Sequence, residues 1–147
     1  MINASKIPQL FLRLALGIGF ILPVMDRLGW LGPAGQHFTA WGNWANFVAY
    51  TNLLVPFLNK SLTSVVALLA TIGETLFGVL LIIGYKTKLM ALGSFILTLG
   101  FALSMAIFLG VRAPFNYSVF ADSAAALLLA TVPVYQWSID HYLSKRS

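Results

Sequence analysis

Four long apolar runs dominate the chain. On a window of about 19 residues they cover about 7–28, 61–84, 89–110 and 115–137. A helix of about 20 residues, rising about 1.5 Å per residue, crosses the roughly 30 Å of a bilayer's hydrocarbon. In lipid such runs must be helical, because an open sheet would leave backbone N–H and C=O groups unpaired. The pattern therefore predicts an all-α membrane protein: a four-transmembrane-helix bundle, folded as one integral membrane domain over residues 1–147. The third run carries no charge, and the fourth carries one, Asp122.

The stretch from Gly29 to Lys60 is too long for a simple turn. Gly29-Trp-Leu-Gly-Pro33 ends the first helix, and Pro56 interrupts the chain again before the second run. Between them Phe38, Trp41, Ala45 and Val48 recur at spacings of three to four, which predicts a short amphipathic helix over about 34–50. Trp30, Trp41 and Trp44 suit a membrane interface. This segment is expected to be an interfacial or re-entrant helix between helices one and two, capping the non-cytoplasmic face.

Composition sharpens the class. The chain is 59% hydrophobic and 9% charged, with mean hydropathy +0.87. A soluble domain carries about 25% charged residues, so there is too little polar surface here for a water-soluble globule. The net charge of +5 lies at the ends of the apolar runs. That placement indicates lipid contact and orientation signals rather than a nucleic-acid surface. The absence of cysteine excludes disulfides, thiolate nucleophiles and Cys-ligated metals. Leu22-Pro-Val-Met-Asp-Arg27 offers no small-x-small cleavage site, so the first run is expected to be a retained helix.

Four spans put both termini on one side. Lys6, Lys86, Lys88, Lys145 and Arg146 fall there, against Arg27, Lys60 and Arg112 on the other. The excess predicts that both termini are cytoplasmic. Tyr85, Tyr117, Tyr135, Trp137 and Tyr142 lie near span ends, as aromatic belts do.

Candidate chemistry rests on the ionisable groups in or near the spans: Arg13, Asp26, Arg27, Glu74 and Asp122. Charges at membrane depth are costly and face protein or a partner. Counted from the cytoplasmic ends, Arg13 lies about 9 Å deep, Glu74 about 15 Å and Asp122 about 22 Å. The depths predict an Arg13–Glu74 pair. Arg27, on the same helix face as Arg13, is expected to reach toward Asp122, with Asp26 near the outer surface. One reading is a polar pocket lined by Glu74 and Asp122, in which a carboxylate can hold and pass a proton. The other is structural: a buried Arg–Glu pair locks two helices, and removing one partner strands a charge. Ala70, Glu74 and Gly78 share one helix face, and Ser118, Asp122 and Ala126 another, with small residues that allow close approach. His37 on the loop helix and His141 in the tail are the only histidines, and neither makes a metal-ligand spacing.

The chain resembles the DoxX family. Arg13-Leu-Ala-Leu-Gly17 with Asp26-Arg-Leu28 is similar to the opening of DoxX-type proteins. Gly73-Glu-Thr-Leu-Phe-Gly78-Val-Leu-Leu-Ile-Ile-Gly84 with Lys86-Thr-Lys88 is similar to the family's second helix and turn, and Asp122 matches its acidic position in the last helix. The resemblance covers nearly the whole chain. It implies a four-helix, multi-pass protein of the bacterial inner membrane. The family name comes from a subunit of a thiosulfate:quinone oxidoreductase, so the implied role is a subunit or partner of a quinone-linked redox system. A quinone or other small apolar ligand would then meet Asp122 above a floor of Glu74 and Arg13, with Phe77 and Phe101 beside its ring. No covalently bound cofactor is expected. Lack of cysteine argues against sulfur chemistry by this chain itself. A non-catalytic assembly protein and a small proton-coupled transporter are the alternatives, and the oligomeric state stays open.

Overall fold

A computed structural model describes residues 6–36 and 39–146. Seven helices appear among them: α1 (Lys6–Arg27), α2 (Trp44–Leu54), α3 (Lys60–Ile83), α4 (Thr87–Phe108), α5 (Arg112–Asn116), α6 (Val119–Ala130) and α7 (Ile139–Ser144). The helices α1, α3 and α4 are each long and apolar enough to cross a membrane, and α6 is a shorter apolar helix. Packing runs in a ring, α1 on α3, α3 on α4, α4 on α6 and α6 back on α1. The core between them includes Leu16, Phe20, Leu81, Met90, Ala126 and Leu129. Large apolar side chains such as Phe11, Leu69, Ile96 and Ile107 point outward, as a bundle in lipid requires.

The fourth run differs from the continuous helix expected over 115–137. The chain turns to a left-handed conformation at Ser118, φ 57°, between α5 and α6. No Gly or Pro marks that break, since 115–121 reads Phe-Asn-Tyr-Ser-Val-Phe-Ala. At the other end α6 stops at Ala130 because Pro133 has no N–H to offer the Leu129 carbonyl. The Tyr135 hydroxyl donates to that carbonyl instead, at 3.1 Å. Tyr135 is thus buried in the core rather than part of an aromatic belt.

The loop helix also differs. It begins at Trp44 and its buried face is Phe47, Thr51 and Leu54, not Ala45 and Val48. The chain before it is held by Asp26, whose carboxylate accepts N–H groups of Ala40, Trp41 and Gly42, at 2.8 Å from Ala40 and 2.7 Å from Gly42. Asn43 then caps α2 by accepting the Asn46 N–H. Phe38 and His37 of the expected helix lie outside the described residues.

Register between α1 and α3 is set by glycine. Gly17 and Gly78 face each other so closely that a Cβ on Gly17 would lie 2.9 Å from the Gly78 carbonyl. A Cβ on Gly78 would lie 2.8 Å from Ile21. Arg13, not Ile7, is therefore level with Gly84, where an added Cβ would come within 2.7 Å of its guanidinium. The six-residue difference slides α1 by about 9 Å toward the Gly84 end.

Gly78→Ala should lower stability by about 1–3 kcal/mol through overpacking. Gly100→Ala, with nothing near its added methyl, should be neutral or stabilise by up to about 1 kcal/mol. Thermal unfolding of the two variants in detergent checks this.

Candidate functional site

The slide of α1 decides which charges meet. It carries Arg27 from the expected outer surface to the level of Thr71 and Glu74. Arg27 is 1% exposed and Glu74 5%. The Arg27 Nη2 donates to Glu74 Oε2 at 2.6 Å, a short charge-assisted contact. Nη1 donates to Thr71 Oγ1 at 2.8 Å, and Nε to the Pro23 carbonyl at 3.0 Å. Thr71 in turn donates to the Ala67 carbonyl. Above the guanidinium lies Phe47 of α2, its ring centroid 3.7 Å from Cζ, with Trp41 at 5.3 Å. Stacked aromatic faces supply attraction where hydrogen-bond partners run out, about 2 kcal/mol or more when desolvated.

The expected Arg13–Glu74 pair is absent, because Arg13 sits at the Gly84 end. There its Nη2 donates to the Trp137 carbonyl at 2.8 Å and its Nη1 to the Gln136 carbonyl at 3.4 Å. Gln9 Nε2 adds a bond to the same Gln136 carbonyl, at 3.1 Å. These side chains satisfy backbone that left the helix after Ala130. Irregular backbone at depth is tolerated only when protein groups pair it.

Asp140, which the sequence did not single out, completes this corner. It accepts the Lys86 and Thr87 N–H groups, both at 2.7 Å, and so caps α4 in place of a local side chain. Its own N–H donates to the Gly84 carbonyl at 2.9 Å. Gly84 closes α3 in the left-handed conformation, φ 71°, that glycine adopts without strain. The visible signal was an acid at the start of a short helix, but its partners lie over fifty residues away.

Asp122 is not brought to Glu74, and Arg27 does not reach it. The buried side of α6 is Ser123, Ala126, Leu129 and Ala130. Asp122 lies on the exposed side and makes no side-chain hydrogen bond or ion pair among the described residues. Asp26, expected near the outer surface, is 5% exposed and serves the loop. Phe77 packs edge-on to Phe20, with centroids 6.4 Å apart, and against Gly93, which makes it a core contact. Two open grooves lie at the Gly84 end. One of about 420 Å³ is lined by Lys86, Lys88, Leu92, Tyr135 and Asp140, and the other includes Trp137 and His141. Neither reaches Glu74, Arg27 or Asp122.

In this arrangement the Arg27–Glu74 pair holds α1 to α3. Arg27→Gln and Glu74→Gln should each cost about 3–5 kcal/mol, since each strands its partner. Their double variant should cost less than the sum by about 2 kcal/mol or more, whereas Arg13→Gln with Glu74→Gln should add. A double-mutant cycle on thermal stability reads both, and an additive Arg27–Glu74 pair would refute the coupling.

Neither the curated proteins nor the solved structures yield a match to the chain. A family model described as "TQO small subunit DoxD" matches residues 9–147. The matched region contains every element from the Gln9–Arg13 anchor to the α7 tail, and the apolar helices agree with a multi-pass membrane protein. The chain belongs to the DoxD family.

Proposed function

We propose that this chain is a small membrane subunit of a quinone-linked oxidoreductase, and that it assembles and anchors the complex rather than carrying chemistry in its own bundle. The family description, a small subunit, supports the first part. The Arg27–Glu74–Thr71 network supports the second, since the two charged side chains buried between α1 and α3 are engaged with each other. The transporter reading loses its paired carboxylates, because Glu74 faces inward and Asp122 outward. The unwound Gln136 and Trp137 carbonyls, which could bind an ion, are taken by Arg13 and Gln9.

In the bacterial inner membrane, α1, α3 and α4 span, and α5, α6 and the stretch to Trp137 make the fourth crossing. The helix α2 is re-entrant. It fills the outer half of the bilayer above Arg27, because α1 ends level with about residue 70 of α3 and leaves about 15 Å uncovered. Asn52 on α2 meets Thr63 near the outer end of α3, at 2.9 Å, which supports this placement. Lys6, Lys86, Lys88, Lys145 and Arg146 sit at the Gly84 end. With Arg27 buried, only Lys60 and Arg112 remain at the other. The bias supports a topology with both termini in the cytoplasm.

Two measurements test this reading. A reporter active only in the cytoplasm, fused after Ser147, should be active, and an expressed but silent fusion would reverse the orientation. In cells deleted for the chain, quinone reduction by the membranes should fall and return on complementation. The apolar pair replacement Arg27→Met with Glu74→Leu should restore it as wild type does, because such swaps preserve a buried fold. A folded double variant without activity would show that Glu74 takes part in the reaction.

A further inference from the structure

Asp122 is the one acidic side chain near the bundle's middle that the fold does not use. Its depth follows from its neighbour: Ser123 Oγ donates to the Phe95 carbonyl at 3.3 Å. Phe95 lies eight residues from the start of α4 and thirteen from its end. Asp122 is therefore about 12 Å from one end of that crossing and about 20 Å from the other. It faces outward from α6, toward hydrocarbon in an isolated chain. A single methylene is too short for its carboxylate to snorkel to either interface. Arg112 is ten residues away, about 15 Å along a helix, beyond side-chain reach. A charge there is strongly disfavoured without a partner.

The face around it is shaped for a helix. Ser118, Ala121 and Ala125 flank Asp122, with Ser118 and Ala121 exposed and Ala125 half-buried. Small residues let a second backbone approach closely enough for a short side chain to make an interhelical hydrogen bond.

We propose that this face binds a transmembrane helix of a different chain, one that presents an arginine or lysine at the depth of Asp122. A second copy cannot supply that base. Embedded the same way, it brings its own bases to the same depths. Arg13 and Arg27 are each 1% exposed and engaged internally. The other lysines and arginines stand at the helix ends, and two copies would set Asp122 against Asp122. The inference rests on the subunit reading and adds to it the face and the chemistry of the contact.

The test uses the purified full chain and needs no quinone system, so its outcome is independent of the activity measurements. The chain has no cysteine, so Leu128→Cys carries a single fluorophore. It is reconstituted in phosphatidylcholine–phosphatidylglycerol vesicles with model Leu/Ala transmembrane helices bearing the matching dye. One helix has a central arginine, one a central leucine and one a central glutamate. Energy transfer should show about tenfold tighter association with the arginine helix than with the leucine helix. Asp122→Asn should erase the difference, Asp122→Glu should retain it, and both variants should melt as the isolated wild type does. Equal binding of the arginine and leucine helices would overturn the proposal, as would a preference that survives in Asp122→Asn. Transfer between labelled copies of the chain that depends on Asp122 would overturn it in favour of self-association.

Discussion

The half of the molecule away from Gly84 depends on one ion pair. Arg27 and Glu74 cannot be left singly in the bundle, so whatever brings them together fixes how α1 lies on α3. The Gly17–Gly78 approach allows that contact and determines its register. Its consequence is a short first helix that stops far short of the Lys60 end of α3. The gap must be filled by backbone that brings its own hydrogen bonds, and α2 does this. Its capping Asn43, the Asp26 grip on Ala40 to Gly42 and the Phe47 roof over Arg27 all follow from the same shortfall.

The opposite end solves a related problem. The chain leaves helical geometry after Ala130, and its carbonyls need donors. Arg13 and Gln9 supply them from the first helix, while Asp140 turns back to cap the fourth. An arginine in helix one that looks at first like an intramembrane partner for a carboxylate is here a clasp for unwound chain.

Hydropathy made the three long helices legible almost to the residue, because each is bounded by a charge or a glycine. Helix register was not legible. Depth counting assumed that helices one and two start flush, and the offset depends on two glycines meeting across an interface. Arg27 and Glu74 were both recognisable as buried charges, but the same offset changed their partners. The break at Ser118 has no Gly or Pro to announce it. The face of α6 was misread for a related reason: Ser118, Asp122 and Ala126 share a stripe, yet packing buries the neighbouring stripe through Ser123 and Ala130. Arg27 was expected to reach toward Asp122, and the same offset took it to Glu74 instead.

The clasp at the Gly84 end joins the first helix to the last few residues of the final crossing. Helices reach the membrane in chain order, so Arg13 waits for its acceptors until Gln136 and Trp137 have been translated. Arg27 waits only for α3. Biogenesis thus passes through two locking events, an early one at the buried pair and a late one at the clasp. A truncated chain that stops before Gln136 can make the first but never the second. An Arg13 without these two carbonyls is a buried cation with no hydrogen-bond acceptor, so the first helix is fully paired only once the Gln136–Trp137 stretch has folded back on it.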